Sequence, residues 1–271
     1  MTTSSPLSEQ LSPPYHLLRQ QFRDFNELAK TVHGWGLDWV QLDRGPLDAA
    51  IHQVATPTAL LSRFRFSRKF HQRGTSPPGA RTFGLTGEQS PDVEWRGNTG
   101  GRTDILAFPA DDLFEVVSQP GFHGDTVSIP EDRIRSVAES AGVPDPLEGI
   151  PSGLAFIEID PLHQMALREA ISYLHAAATT AENGVPDASV ITGIELDVVT
   201  ALVAALQARP PTHGTPEPRL RARAIRTALE YLEAHADEPP TVHEICRVAG
   251  VSWRTLDYAF RDRFGVTPKR Y

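Results

Sequence analysis

Short apolar runs separated by turn-forming residues fill the chain between about residues 22 and 134. The clearest runs lie at residues 39–42, 59–64, 81–85 and 105–108, and Gly- or Pro-rich segments lie between them. Short strands joined by such turns are typical of a β-sandwich or a small barrel. No helical period runs far enough here to predict alternating strand and helix units. The pattern therefore predicts a β-unit in the first half of the chain.

A helical period replaces this pattern after residue 130. It predicts helices over residues 131–141, 161–182 and 189–208, with a Pro- and Gly-rich loop after the first. The third helix is apolar on more than one face, which is typical of helices that pack on two sides. Two interpretations stay open: the long helices cover the β-unit, or they form a helical dimer contact. The fold class that follows is α+β.

A proline-rich segment divides the chain further on. Residues 209–218 contain four prolines, and proline lacks the amide donor and restricts the residue before it. We interpret this segment as a linker. The predicted organisation is a disordered tail over residues 1–20, a first domain over 21–208, the linker, and a second domain over 219–271.

The second domain has the pattern of a helix-turn-helix. Helices are predicted over Arg219–Ala236, Val242–Ala249 and Trp253–Phe264; Thr241 and Glu244 have capping-box spacing, and Ser252 caps the last helix. Such a motif needs a tight turn, commonly with a glycine that tolerates positive φ, and a small residue where the two helices touch. The residues that fit these structural positions are Ile245, Cys246, Ala249, Gly250, Val251, Leu256, Ala259 and Phe260. An ordinary helical hairpin is the alternative on this pattern alone.

Charge and composition support a confined DNA-facing segment. The net charge is −8. Residues 219–271 hold ten Lys/Arg and seven Asp/Glu, giving +3, while the other 16 basic and 27 acidic residues give −11. A basic end on an acidic body is typical of a local nucleic-acid surface. The single cysteine, the absence of a signal-like N-terminus and the lack of about 18 consecutive apolar residues predict a cytoplasmic protein without a membrane span.

The run from Thr241 to Tyr271, TVHEICRVAGVSWRTLDYAFRDRFGVTPKRY, strongly resembles the first helix-turn-helix of AraC/XylS-type transcription regulators. The elements that carry the resemblance are A-G-V-S from Ala249, R-T-L from Arg254, and F-R-x-x-F-G-x-T-P-x-x-Y from Phe260. The first domain is more loosely similar to that of ethanolamine-operon regulators, at residues 45–47, 73–79, 95–97 and 113–116. This similarity implies a cupin-like β-domain followed by helices, which binds an effector or dimerises.

The resemblance implies a role for each outward residue of the second helix, which enters the major groove with its N-terminal end first. Arg254, Asp257 and Tyr258 match base-reading positions: Arg254 suits guanine and Asp257 a cytosine amine, whereas Tyr258 replaces a common arginine. Thr255 and Arg261 suit phosphate. Trp253 packs on sugar or covers the turn. The expected partners are double-stranded DNA, a small-molecule effector and a second copy of the chain.

The family's module has two helix-turn-helix units, and this sequence stops near the start of the helix that joins them. We therefore expect a fragment, a frameshifted product or a pseudogene translation, with weakened DNA binding and an exposed Phe260 or Phe264. One alternative is an effector-binding or dimerisation module that does not bind DNA. Another is a cupin-like metal protein. No enzyme, cofactor or metal is expected, because His33, His52, His71 and His123 form no H-x-H pair and the common catalytic loops are absent.

Overall fold

The fold is α+β, as the sequence predicts. The computed structural model describes residues 15–24, 27, 28, 31, 34–95, 98–100, 103–110, 112–150, 153–179, 188–209, 219–235 and 240–271. Contacts divide the chain into two compact units, one of residues 1–93 and 100–212 and one of residues 94–99 and 213–271. The predicted tail up to residue 14 and the linker from residue 210 lie outside the described residues.

Among the described residues, twelve strands form two antiparallel sheets. Their bounds are β1 His16–Phe22, β2 Gly36–Gln41, β3 Ala49–Ala55, β4 Leu60–Phe66, β5 Phe70–Thr75, β6 Arg81–Thr86, β7 Val93–Trp95, β8 Asn98–Gly100, β9 Asp104–Ala107, β10 Phe114–Ser118, β11 Phe122–Ile129 and β12 Ala155–Glu158. The seven-stranded sheet has the order β1-β3-β4-β11-β6-β9-β12, and the five-stranded sheet has the order β2-β5-β10-β7-β8. The predicted apolar runs fall on β2, β4, β6 and β9.

In the described part of the chain from residue 130 onward, six helices have defined bounds. They are α1 Glu131–Ser140, α2 Pro161–Thr179, α3 Ala188–Gln207, α4 Arg219–Ala234, α5 Val242–Ala249 and α6 Trp253–Phe264. Each of the six segments predicted to be helical contains one of these helices, and the predicted ends at residues 180–182 and 236 lie outside the described residues. The sequence pattern places α5 and α6 at the observed bounds, because glycines and capping residues mark their ends.

The seven-stranded sheet is covered on both faces. One face meets helices α1, α2 and α3 in a continuous apolar core that includes Phe83, Val127, Ile134, Ile171 and Val198. Strand residues of alternate parity point to opposite faces, so the other face presents Phe64 and Phe66, which belong to an aromatic cluster with Trp39 of β2. The two sheets therefore enclose a second, aromatic-rich interior.

The apolar sequence of helix α3 is explained by its packing in the core. Among the described residues, Ser189–Gln207 is the one helical segment long and apolar enough to cross a membrane, and half of it is buried inside the structure. Val198, Val199 and Leu202 are fully buried. Glu195 is also buried and accepts hydrogen bonds from the hydroxyls of Thr56, at 2.5 Å, and Thr58. The carboxylate thus fastens the helix to the turn between β3 and β4.

Three segments differ from the sequence prediction. Residues 16–20, assigned to the disordered tail, belong to β1, which pairs with β3. Most of β1 is exposed and polar, so its backbone pairing is not visible as an apolar alternation. Residues 98–100 lie in one of the Gly- or Pro-rich segments that the pattern places between strands, and they form β8. Strand β12 was not expected in a Pro- and Gly-rich stretch, because its pairing with β9 joins residues distant in sequence.

Candidate nucleic-acid interface

A capping box starts helix α5, as the sequence predicts. The Glu244 amide donates to the Thr241 hydroxyl at 3.3 Å, and the Thr241 amide donates to the Glu244 carboxylate at 2.8 Å. The Thr241 hydroxyl also donates to that carboxylate at 2.8 Å, which lowers the pKa of Glu244. These bonds satisfy amides at the helix start that have no partner within the helix.

The turn between the two helices depends on the backbone conformation of one glycine. Gly250 has φ 66° and ψ 30°, in the left-handed region, and the Val251 amide donates to the Cys246 carbonyl at 3.1 Å. A Cβ added at Gly250 would meet nothing within 4 Å. The glycine is therefore required for its positive φ and not for space.

The second helix of the pair begins and ends at well-defined caps. The Thr255 amide donates to the Ser252 hydroxyl at 3.2 Å, and the two hydroxyl oxygens lie 2.8 Å apart. Gly265 ends the helix with φ 66°. Helix α6 therefore spans Trp253–Phe264 and starts directly after the turn, as a recognition helix must.

The residues assigned to the inner stripes are mostly buried. Ile245, Cys246, Leu256, Ala259 and Phe260 are at most 8% exposed, while Val251 is half-buried. Helix α4 contributes buried side chains to the same unit, namely Ala224, Ile225, Ala228 and Leu229. Burial raises the pKa of the Cys246 thiol, which suits a small core residue and not a nucleophile.

The expected exposure of Phe260 or Phe264 is wrong. Both side chains are fully buried. The Tyr271 ring lies 5.6 Å from the Phe260 ring and 4.9 Å from the Phe264 ring, measured between centroids. The segment after Gly265 folds back over the helix, and Val266 and Pro268 are buried with it. This short return supplies the packing that the prediction had assigned to further chain.

The outward face of α6 carries the residues predicted to meet DNA. Trp253 is 60% exposed, and Arg254 is exposed beside it. Asp257 accepts a hydrogen bond from Arg261 at 2.9 Å across one helical turn, with side chains 16% and 62% exposed. Arg254, Asp257 and Arg261 share a face at i, i+3 and i+7. Thr255 is half-buried and its hydroxyl serves the cap, while the side chain of Tyr258 lies outside the described residues.

Further exposed cations in this unit were not singled out by the sequence pattern. They are Arg247 in the last turn of α5, and Lys269 and Arg270 after α6. In the sequence, the net positive charge of residues 219–271 is the feature that indicates such cations. Together with Arg254 and Arg261 they are exposed positive charges of this unit, each of which can meet a phosphate.

In the described part of the chain, no group of three or more His, Cys, Asp or Glu side chains is arranged to hold a metal ion. Two described histidines of the β-unit make hydrogen bonds within the protein. His71 lies 2.7 Å from the Glu115 carboxylate, and His52 lies 3.3 Å from the Thr179 hydroxyl.

No family model matches the chain. A segment of 55 residues is 46% identical to a probable thc operon regulatory protein of Rhodococcus erythropolis; it covers 20% of this chain and spans 16% of that protein. Among solved structures, the AraC-like transcriptional activator CuxR matches with a TM-score of 0.49 and 15% identity, over 90% of this chain and 89% of that one.

Two other solved structures are similar over smaller parts. ToxT from Vibrio cholerae O395 matches with a TM-score of 0.28 and 9% identity, over 71% of this chain and 69% of that one. A mutant oxalate decarboxylase from Bacillus subtilis matches with a TM-score of 0.22 and 11% identity, over 42% of this chain and 40% of that one.

Proposed function

We propose that this chain is a sequence-specific, DNA-binding transcription regulator of the AraC/XylS type. The observation that carries the proposal is the glycine turn at Gly250 followed by the capped helix α6, whose outer face exposes Arg254 and Arg261. The dense sequence resemblance of residues 241–271 to that family supports it, as does the name of the matched regulatory protein.

The proposed reading begins at the N-terminal end of α6. Arg254 donates two parallel hydrogen bonds to O6 and N7 of a guanine in the major groove, a contact worth about 1–3 kcal/mol of discrimination. Trp253 lies one residue earlier and covers the sugar beside it. Asp257 faces the next base pair, and the sequence match assigns position 258 to base recognition as well.

The Asp257–Arg261 pair would control the charge of this surface. Phosphates repel a free carboxylate. In the protein without DNA, the 2.9 Å contact with Arg261 offsets the negative charge of Asp257. In the complex Arg261 can turn to a phosphate, which frees Asp257 to accept from a cytosine amine. Thr255 serves the cap and offers its hydroxyl to the backbone.

The remaining assignments belong to the same proposal. Residues 21–208 form the domain that binds an effector and dimerises, residues 209–218 link it to the DNA-binding part, and residues 219–271 contact DNA in the cytoplasm. The homodimer would use α2 and α3, where Leu162, Met165, Tyr173 and Leu196 are exposed. We propose no catalytic activity.

The test is selection of bound sequences from a random pool of duplex DNA, followed by titration of the best site. We expect a defined sequence preference, and Arg254→Ala should weaken binding to the selected site by about 1–3 kcal/mol and relax the preference at one base pair.

The matched control is Arg135→Ala, which removes the same charge from helix α1, where the side chain pairs with Glu131 and Asp145. It should leave the affinity for the selected site unchanged. Equal loss in both variants, or no enrichment of any sequence, would contradict a recognition role for α6. The second result would favour a module that does not bind DNA.

A further inference from the structure

The space between the two sheets holds a cavity that is partly open to solvent. Its walls come from both sheets and are mainly aromatic: Trp35, Trp39, Phe64, Phe108, Phe114 and Phe122. Several of these rings pack edge to face, with centroid distances of 5.4 Å for Trp35–Phe108 and 4.7 Å for Phe108–Phe114. Such mutual packing holds the wall in a defined shape, so a flat apolar molecule can bind it without reorganising the core.

Three hydrogen-bond donors in the cavity wall lack a partner within the described chain. They are the indole N–H groups of Trp35 and Trp39 and the hydroxyl of Thr126. Trp39 is 7% exposed and Thr126 is 8% exposed. A buried polar group without a partner costs free energy, and buried Trp and Thr donors ordinarily find one. A molecule that brings acceptor atoms into the cavity would provide partners for all three.

The charged residues of the cavity lining limit the class of molecule that the cavity can bind. The described lining contains no Lys, Arg or His. Its ionisable residues are Asp104 and Asp125. The Asp125 carboxylate accepts from Arg63 at 2.7 Å and lies 3.8 Å from His175 of α2, on the face of the sheet that meets the helices, so Asp104 is the carboxylate on the cavity side. An anion would meet the Asp104 carboxylate and no cation of the described lining, whereas a cation without acceptor atoms would leave the three donors unsatisfied. A neutral molecule with acceptor oxygens matches both features.

We propose that this cavity binds a neutral, flat, largely apolar molecule that carries hydrogen-bond acceptors, such as an aromatic ketone or lactone. This deepens the proposed function, because it names the chemical class of the effector for residues 21–208. The step from binding in the cavity to control of DNA binding rests on the proposed function.

Isothermal titration calorimetry of the full chain with three flat probes tests the class. Coumarin is neutral with acceptor oxygens, 2-naphthoate is an anion and N-methylquinolinium is a cation. We expect coumarin to bind at least tenfold more tightly than either charged probe. Equal or tighter binding of a charged probe, or no binding of coumarin, would overturn the proposal.

Two variants locate the probe. Thr126→Val keeps the side-chain shape and removes the hydroxyl, so it should lower coumarin affinity about fivefold, the effect of one hydrogen bond, without lowering the melting temperature. The matched control, Thr200→Val on the exposed face of α3, should leave the affinity unchanged. Val116→Trp should fill the cavity and abolish binding. Undiminished affinity in both Thr126→Val and Val116→Trp would place coumarin elsewhere and overturn the proposal.

Arg254→Ala separates the two proposals, because it should lose DNA affinity and bind coumarin normally. Coumarin binding that leaves DNA affinity unchanged would support the cavity site and contradict its regulatory link. Sequence-selective DNA binding without any coumarin binding would support the regulator and overturn the cavity proposal.

Discussion

At the scale of single residues, the most unusual group is His175 on helix α2. Its side chain is 2% exposed, and neither ring nitrogen has a hydrogen-bond partner among the described residues. The ring lies 4.6 Å from that of His52, and Nε2 is 3.8 Å from Asp125, too far for a hydrogen bond. Burial, with help from Arg63 and His52, lowers the pKa of His175 to about 3. The folded protein therefore holds this imidazole neutral.

A pH dependence of stability follows from that neutral histidine. Between pH 6.5 and 3 the unfolded chain binds a proton at His175 that the folded chain does not bind, so stability falls as the pH decreases through 6.5. The limiting slope is about 1.4 kcal/mol per pH unit, and the lowered pKa of His52 acts in the same direction.

Urea unfolding at pH 7.5 and 5.5 measures this slope. We expect His175→Leu to flatten it, while His163→Gln, on the exposed N-terminal turn of the same helix, should leave it near that of the unchanged chain. Identical slopes for all three proteins would contradict the assignment.

At the scale of elements, the helix ends could be read from the sequence because each depends on local chemistry. Thr241, Ser252 and Gly250 act within one turn of their own position, and the structure has them in the predicted roles. Strands β1 and β12 were missed because pairing with distant partners defines them. The cavity donors were missed for the same reason: Trp39 and Thr126 meet only after two sheets have formed.

The same substitution at two glycines should have opposite effects. Gly250→Ala places a Cβ on a residue at φ 66°, which costs about 1–2 kcal/mol. Gly193→Ala lies on the exposed face of α3 with open space around the added Cβ, and should stabilise the helix by about 0.5–1 kcal/mol.

Thermal unfolding monitored by circular dichroism measures the sign of the stability change in each variant. A loss of similar size at both positions, or no loss for Gly250→Ala, would contradict the assignment of the Gly250 effect to its positive φ.

At the scale of the whole molecule, charge is distributed unevenly along the chain. Residues 219–271 carry +3 in a protein whose net charge is −8. In the proposed complex the acidic remainder would repel the DNA backbone, so the exposed cations of the smaller unit would have to supply the attraction. The salt dependence of a DNA association constant increases with the number of phosphates that the protein contacts. A small number of exposed cations therefore predicts a moderate dependence.

We therefore expect the logarithm of the DNA association constant to fall linearly with the logarithm of NaCl concentration. Lys269→Ala should reduce the slope by about 1 and leave sequence preference intact, whereas Arg135→Ala should not change the slope. Fluorescence anisotropy between 50 and 200 mM NaCl measures both. A salt-independent constant would contradict phosphate contact by this surface.

The late arrival of β12 has a consequence for synthesis on the ribosome. Strand β9 is completed at Ala107, yet the strand that covers its free edge begins at Ala155. Until then the backbone amides and carbonyls at this edge of β9 have no partner strand, and another nascent chain can pair with them. Ile105 of β9, which is buried in the folded protein, adds an apolar side chain to this edge. Chaperone demand during translation should therefore peak in this interval and fall once residue 158 has left the exit tunnel.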